Sequence, residues 1–114
     1  MKYKNYINNE WIDGLDGYKF DVENPFTEEI IAQVPRSSNK DVDMAVKAAK
    51  SAWKNWKIKG SLDMRDLMRE VAVKSRAHDH EIAKVITAES GKPLIECLDE
   101  IEWIASIFEY YSEI

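Results

Sequence analysis

Cys97 is the single cysteine of the 114-residue chain and its first candidate for a nucleophile. A reactive thiolate needs a cationic neighbour or a helix N-terminus. The nearby residues are Glu96, Asp99 and Glu100 instead, and their negative charge disfavours a thiolate. Cys97 also lies on the flank of a predicted helix beside Ile101, where a free cysteine behaves as a small buried hydrophobic residue. The sequence therefore predicts a core cysteine.

Two other short motifs have residue types that bind phosphate or metal ions. A phosphate-binding loop needs a glycine five residues before its glycine–lysine pair and Ser or Thr after it, but Gly91-Lys92 has Ile86 and Pro93 there. His78 and His80 are two residues apart, so on a helix their imidazoles point about 200° apart and do not converge on one ion. We predict a structural break at the first motif and a solvated junction at the second.

The clustered acidic residues raise the question of general acid–base catalysis. Glu100 and Glu102 are two residues apart and face away from each other on a helix, so they form no carboxylate dyad. We interpret both as part of a solvated face. The sequence thus predicts no catalytic, cofactor-binding or metal-ligating residue in this chain.

Composition limits the classes of function. The chain is 45% hydrophobic and 32% charged, which is typical of a folded globular protein. Its net charge of -5 disfavours nucleic acid and anionic membranes as partners. No apolar run approaches about 18 residues and no signal-peptide apolar region follows the N-terminus, so we expect a cytoplasmic protein.

The first third of the chain has the pattern of short strands. Tyr6-Ile7 and Trp11-Ile12 flank a turn-rich gap and predict a hairpin. Phe20–Glu23 and the β-branched segment Ile30–Val34 predict a second antiparallel pair, joined across the turn that begins at Asn24-Pro25. Residues 1–36 are therefore expected to be a β-rich ribbon.

The remainder, residues 37–114, contains residues that typically begin and end helices. Ser38 is a suitable N-cap, with Asp41 completing a capping-box-like arrangement. Gly60 breaks the pattern and Ser61 is expected to cap the next helix, and Gly91 ends a helix before Pro93 enters the first turn of another. Apolar residues recur at helical spacing in four groups: Val42, Ala45, Val46, Ala49, Ala52 and Trp53; Leu67, Met68, Val71 and Ala72; Ile82, Ala83, Val85 and Ile86; Leu94, Leu98, Ile101, Ala105 and Phe108.

These patterns together predict an α+β fold, with an N-terminal β hairpin and ribbon followed by a bundle of three to four helices. No linker composition occurs, so we predict a single segment, 1–114, without an internal domain boundary. The aromatic residues of the helical part are not interleaved with a basic stripe, so they predict core or inter-subunit packing and not a nucleic-acid surface: Trp53, Trp56, Trp103, Phe108, Tyr110 and Tyr111.

Four stretches, in the same order, resemble the N-terminal region of the aldehyde dehydrogenase superfamily: Tyr6-Ile-Asn-Asn-Glu-Trp-Ile12, Asn24-Pro-Phe-Thr-Glu-Glu-Ile-Ile31, Asp41-Val-Asp-Met-Ala-Val-Lys-Ala-Ala49 and Glu89-Ser-Gly-Lys-Pro-Leu-Ile-Glu96. The resemblance implies a parent reaction in which an aldehyde is oxidised to a carboxylic acid and hydride passes to NAD or NADP. It also implies a fold that continues well past residue 114. The family's dinucleotide fold, its glutamate segment and its Gly-Gln-x-Cys segment have no match here, so we expect a truncated chain that binds no cofactor and is inactive alone.

The resemblance carries one further expectation about a metal ion. In several family members an acidic residue at the position matching Glu100 helps to coordinate a monovalent cation, together with backbone oxygens near the strand Phe20–Asn24. Unchanged thermal stability of the full enzyme across sodium, potassium and large organic cations would count against this expectation.

Two functional hypotheses remain after the sequence analysis. The first is a structural N-terminal segment of an NAD(P)-dependent aldehyde dehydrogenase, whose partners are the rest of that polypeptide or copies of itself. The second is a free-standing helical protein-interaction module without enzymatic activity. The first hypothesis expects an uncovered Leu94–Phe108 stripe and self-association through the last helix, whereas the second expects a well-behaved monomer or closed dimer.

Overall fold

In the computed structural model, which describes residues 3–114, strands precede helices. The described residues form four strands: Asn5–Ile7 (β1), Glu10–Ile12 (β2), Lys19–Glu23 (β3) and Ile30–Pro35 (β4). They also form four helices: Asn39–Trp56 (α1), Ser61–Ala77 (α2), Asp79–Ser90 (α3) and Leu94–Ser112 (α4). This order confirms the predicted α+β class.

The chain forms two compact units. One ends at Ile58 and holds the strands with α1, and the other, Lys59–Ile114, holds α2, α3 and α4. The predicted change from β-rich to helical sequence near residue 36 agrees with the order of the elements. The absence of a domain boundary within 1–114 stays a prediction.

The hairpin β1–β2 forms as predicted, with Tyr6 opposite Trp11 in an antiparallel register. Its two turn residues, Asn8 and Asn9, have φ of 53° and 64°. A two-residue hairpin turn that matches the twist of its strands needs positive φ at both positions, and asparagine tolerates that region. The rings of Tyr6 and Trp11 lie 4.8 Å apart between centroids, so the pair closes the hairpin from one side.

The second ribbon, β3–β4, is also antiparallel and confirms the predicted pairing, with Phe20 opposite Val34. The register shifts between Val22 and Glu23, next to the turn. Asn24 organises that turn, because its side-chain oxygen accepts hydrogen bonds from the Phe26 and Thr27 backbone N–H groups at 2.9 and 3.2 Å.

Asp41 is the polar centre of the first unit and is only 2% exposed. One carboxylate oxygen accepts the Ser38 N–H and the Ser38 hydroxyl, both at 2.8 Å, which confirms the predicted capping box. The other accepts the Leu15 N–H at 3.0 Å and so ties the loop before β3 to the start of α1. The backbone donors of Ser38 and then Leu15 hold the pKa of Asp41 below its ordinary value of 3.8.

We expect Asp41→Ala to lower the melting temperature by several degrees, because three hydrogen bonds lose their acceptor. The folded pKa lies below 3.8, so this stabilisation is present at neutral pH and is lost as the pH falls below 3.8. Circular-dichroism melts measure the effect, with the exposed Asp43→Ala as the matched control. Equal losses for the two variants would contradict this assignment.

The helices of the second unit begin and end close to the predicted capping residues, with two corrections to the N-caps. Gly91 has φ of 75° and its N–H bonds to the Thr87 carbonyl at 2.9 Å, as predicted for a left-handed C-cap. The N-cap of α2 is Gly60 and not Ser61, because Gly60 is extended and its carbonyl already accepts the Met64 N–H. Pro93 likewise precedes the first turn of α4 as its N-cap.

The core of the second unit combines one large aliphatic residue, Ile101, with small ones. Ala83, Cys97 and Ile101 form a buried cluster against which Ile86 and Leu98 pack. Ala72 of α2 and Ala105 of α4 are also fully buried, which allows the helices to approach closely. The predicted buried side of α2 was partly wrong, because Leu67 and Val71 are exposed.

Candidate functional site on the last helix

Helix α4 buries one face inside its own unit. The buried positions are Cys97, Ile101, Ala105 and Ser112, and Leu98 and Phe108 on the same side are half-buried. The expectation that the Leu94–Phe108 stripe would be uncovered is therefore wrong from Leu98 onward, whereas Leu94 is exposed as expected. Its residues are spaced to face α2 and α3, and these neighbouring helices pack against it.

A second apolar stripe lies on the opposite side of α4. It consists of Trp103, Ile107, Tyr110 and Ile114, which we call the outer stripe, and all four side chains are exposed. Their spacing of four, three and four residues places them in one row. Trp103 is 72% and Ile107 54% exposed. A row of large apolar side chains in water is typical of a protein–protein contact surface.

A charged clamp fixes the orientation of α4 against α2. Arg76 donates to both carboxylate oxygens of Glu102 at 2.7 and 2.8 Å, and to both of Glu109 at 2.5 and 2.9 Å. Arg69 of α2 also forms an ion pair with Glu113, which directly follows α4. The hydrogen bonds from Arg76 hold the pKa of Glu102 and of Glu109 below 4.5, and those to Glu102 and then Glu109 raise the pKa of Arg76.

The clamp predicts acid sensitivity of the second unit. Its folded carboxylate pKa values lie below 4.5, so its stabilisation is present at neutral pH and is lost as the pH falls below 4.5. We expect Glu102→Gln/Glu109→Gln to lower the melting temperature at pH 7 and to flatten its decline at acidic pH. Melts between neutral and acidic pH test this, with the exposed Glu89→Gln as the control. If the melting temperature of the double variant fell at acidic pH as steeply as that of the original chain, the prediction would be contradicted.

Cys97 lies in the core, as predicted, and is fully buried. The Thr87 hydroxyl donates to its sulfur at 3.4 Å, and the thiol lies 3.9 Å from the Lys92 carbonyl oxygen. Both contacts join α4 to the end of α3 and the break after it. The absence of a catalytic role for Cys97 stays a prediction.

Glu100 and Glu102 bind different basic residues. Glu100 pairs with Lys92 across the break between α3 and α4, whereas Glu102 pairs with Arg76. The hydrogen bond to Glu100 raises the pKa of Lys92. The structure therefore gives Glu100 a local structural role. The monovalent-cation site expected from the family resemblance stays untested.

The two remaining candidate motifs lie at the ends of helices. His78 separates α2 from α3, as predicted, and its Nδ1 lies 3.2 Å from Glu81 Oε2, but His80 lies inside the first turn of α3 and not in the junction. Within residues 3–114, no three His, Cys, Asp or Glu side chains are grouped so that they could hold a metal ion. Gly91-Lys92 forms the C-cap of α3 and the ion pair with Glu100.

The described residues contain no strand–turn–helix of the kind that holds a dinucleotide pyrophosphate. The turn that holds a pyrophosphate joins a parallel strand to a helix and is rich in glycine. Here both sheets are antiparallel pairs, and Gly60 and Gly91 each follow a helix. That this chain binds no cofactor nevertheless stays a prediction. As a separate finding, none of the helices in the described part is long and apolar enough to cross a membrane.

The outer stripe was missed by the sequence analysis. Most of the aromatic residues predicted for core or inter-subunit packing are exposed in this chain, with Phe108 half-buried. The row of Trp103, Ile107 and Tyr110 has helical spacing of its own and was a usable signal. It was overlooked because the stronger Leu94–Phe108 periodicity accounted for the helix.

Comparisons with known proteins give matches over most of the chain. The model of the aldehyde dehydrogenase family matches residues 11–114. The chain is 34% identical to an aminoaldehyde dehydrogenase of Solanum lycopersicum over 96% of its own length and 22% of that protein. It is 40% identical to the malonate-semialdehyde dehydrogenase of Bacillus subtilis over 88% of its length and 20% of that protein.

The fold has solved counterparts as well. A betaine aldehyde dehydrogenase variant of Staphylococcus aureus, solved with NAD+, matches with a TM-score of 0.92 at 26% identity. That match covers 96% of this chain and 22% of the solved one. The chain thus spans about a fifth of the length of the curated relatives it matches.

Proposed function

Because the chain belongs to the aldehyde dehydrogenase family, we propose that it is the N-terminal structural segment of an NAD(P)-dependent enzyme that oxidises an aldehyde to a carboxylic acid. The outer stripe is the observation that carries the proposal. A helix with apolar residues on two opposite faces suits a position between two layers of protein. Helices α2 and α3 form one of those layers.

The role of the segment is to cover and support the rest of the enzyme. Trp103, Ile107 and Tyr110 provide the contact, and the Arg76 clamp holds α4 at a fixed orientation for it. Burial of such aromatic and aliphatic side chains stabilises a protein interface more than its polar rim does. The partner is the remaining polypeptide or a further copy of the chain, in the cytoplasm.

The cofactor belongs to the complete enzyme. A related solved enzyme carries NAD+, and the family resemblance extends the choice to NADP. In the complete enzyme a cysteine would form a thiohemiacetal with the aldehyde, a nicotinamide would accept its hydride, and a basic glutamate would activate the water that hydrolyses the resulting thioester. We propose that residues beyond this segment provide all three functions, and that residues 1–114 alone are inactive.

A chimeric enzyme tests the proposal. Residues 1–114 replace the matching segment of the Bacillus subtilis malonate-semialdehyde dehydrogenase, and we refer to this protein as the chimera. We expect the chimera to retain the aldehyde-oxidising activity of its parent, because the two segments are 40% identical over 101 residues. The isolated chain should show no turnover. A folded but inactive chimera, or an isolated chain that oxidises aldehydes with NAD or NADP, would overturn the proposal.

A further inference from the structure

Helix α1 carries a local excess of positive charge. Residues 44–60 contain five lysines and no acidic residue, although the whole chain has a net charge of -5. Four of these lysines are exposed, follow one another at intervals of three, four and three residues, and form no ion pair within residues 3–114; we call them the basic row: Lys47, Lys50, Lys54 and Lys57. Such intervals keep the four side chains within about 80° of one another around the helix axis. The basic row is therefore available to an anionic surface.

An exposed apolar row runs along α1 beside the basic row. It consists of Val42, Val46 and Trp53, which are 54%, 58% and 58% exposed. Lys50 follows Val46 by four residues and precedes Trp53 by three, so the two rows touch along the helix. The surface of α1 thus changes from apolar to basic across the helix and keeps each character along its length.

The other side of α1 fixes which way these rows face. Asp41 is buried, Ala45 and Ala48 are half-buried, and α1 contacts β1 of the hairpin. At about 100° per residue, these three positions lie on the side opposite the two rows. Both rows therefore face outward from the first unit, to which α1 and the hairpin belong.

We infer that α1 is a docking surface for an anionic phospholipid membrane. The apolar row lies at the boundary between head groups and acyl chains, and the basic row lies among the anionic head groups. The inference goes beyond the proposed function, which assigns the outer stripe of α4 and leaves this face of α1 without a role. It departs from the expectation that the net charge disfavours such a membrane, because the charge is unevenly distributed along the chain.

The arrangement of the rows favours a membrane over other anionic partners. A bilayer surface is layered, with charge outside and hydrocarbon inside, and the two parallel rows of α1 match that layering over about 15 Å of helix. Tryptophan is enriched at this boundary in membrane-bound proteins, and Trp53 lies in the apolar row. A nucleic acid duplex offers phosphates to the lysines, but its stacked bases offer nothing to Val42 and Val46.

Co-sedimentation with lipid vesicles tests this inference. Phosphatidylcholine vesicles that contain about 30 mol% phosphatidylserine are compared with pure phosphatidylcholine vesicles, because only the first carry net negative charge. We expect the 114-residue chain to bind the anionic vesicles on the order of 100-fold more tightly, since each lysine near such a surface strengthens binding about five-fold. Raising NaCl to about 0.5 M should remove most of this difference by screening.

Two variants with the same change in net charge locate the contact. Lys50→Glu should weaken binding to the anionic vesicles about 25-fold, because it removes one positive charge and adds a negative one. Lys84→Glu, at an exposed position of α3, is the matched control and should weaken binding by less than about three-fold. Equal losses for the two variants would mean that only the net charge matters and would overturn the inference.

A gain in binding provides a test that misfolding cannot imitate. Asp43 is exposed and lies one helical turn before Lys47, so Asp43→Lys extends the basic row. We expect this variant to bind the anionic vesicles about 10-fold more tightly or better. Trp53→Gln, which removes the largest member of the apolar row, should weaken binding about 10-fold or more. If neither variant changed the affinity, α1 would not be the docking surface.

The chimera shows whether this face of α1 is also open in a complete enzyme. We expect the chimera to bind the anionic vesicles like the isolated chain, and its Lys50→Glu variant to lose that binding. An active chimera that leaves the vesicles unbound would overturn the inference and keep the proposed function. A chimera that binds vesicles but is inactive would do the reverse. Tighter binding of the chain to polyuridine RNA or to polyglutamate than to the vesicles would assign α1 to another class of partner.

Discussion

Ile101→Ala is expected to lower the free energy of unfolding of the second unit by about 2–5 kcal/mol, the range for truncating a large buried aliphatic residue. Ile101 is only 1% exposed and belongs to the cluster with Ala83 and Cys97. Small neighbours held on packed helices have few atoms that can move into the space left by the lost side chain. The cavity therefore stays open, and the loss approaches the unfolding free energy of a small domain.

Urea unfolding followed by circular dichroism measures this loss. Ile107→Ala is the matched control, because it makes the same change on the same helix at a side chain that is 54% exposed. We expect the control to change the unfolding free energy by no more than about 0.5 kcal/mol, as at most surface positions. Similar losses for the two variants would contradict the burial of the Ile101 face of α4.

Ile107→Glu in the chimera has the second largest expected effect. If the outer stripe is covered in the complete enzyme, the substitution places an unpaired carboxylate in an apolar contact, which is strongly unfavourable. We expect the yield of active chimera to fall on the order of 100-fold or more. In the isolated chain the same carboxylate meets water, so the melting temperature should stay nearly unchanged.

The control for this prediction is Lys84→Glu, another introduced glutamate at an exposed position of α3. The chimera that carries it should keep full activity. An active Ile107→Glu chimera would show that the outer stripe faces solvent in the complete enzyme. A large loss of stability in the isolated chain would instead assign Ile107 to the local core.

Local sequence rules predicted much of this fold. The two asparagines of the hairpin turn, the capping box of Ser38 and Asp41 and the left-handed Gly91 each depend on a few neighbouring residues. Their physical causes are steric freedom and unpaired backbone donors, which act within one turn of chain. Such features can be identified without knowing what lies around them.

The distribution of burial was harder to predict, because it depends on neighbours that are distant in sequence. Leu67 and Val71 have the spacing of a core face but are exposed, whereas Ala72 beside them is fully buried. The second role of Asp41, its bond to Leu15, joins residues 26 positions apart. Periodicity identifies an apolar row but not the element that covers it, so the Leu94–Phe108 row was expected to be uncovered and the outer stripe was missed.

Thiol labelling of Ile107→Cys tests most directly whether the outer stripe is covered by protein outside this chain. Labelling is followed by mass spectrometry of the peptide that carries position 107, in the isolated chain and in the chimera. The buried Cys97 provides an internal reference, and Lys84→Cys provides an exposed one. We expect position 107 to react rapidly in the dilute isolated chain at high salt and to be protected in the chimera, while position 84 reacts in both. Equal reactivity of position 107 in the two proteins would contradict the proposed role of the segment.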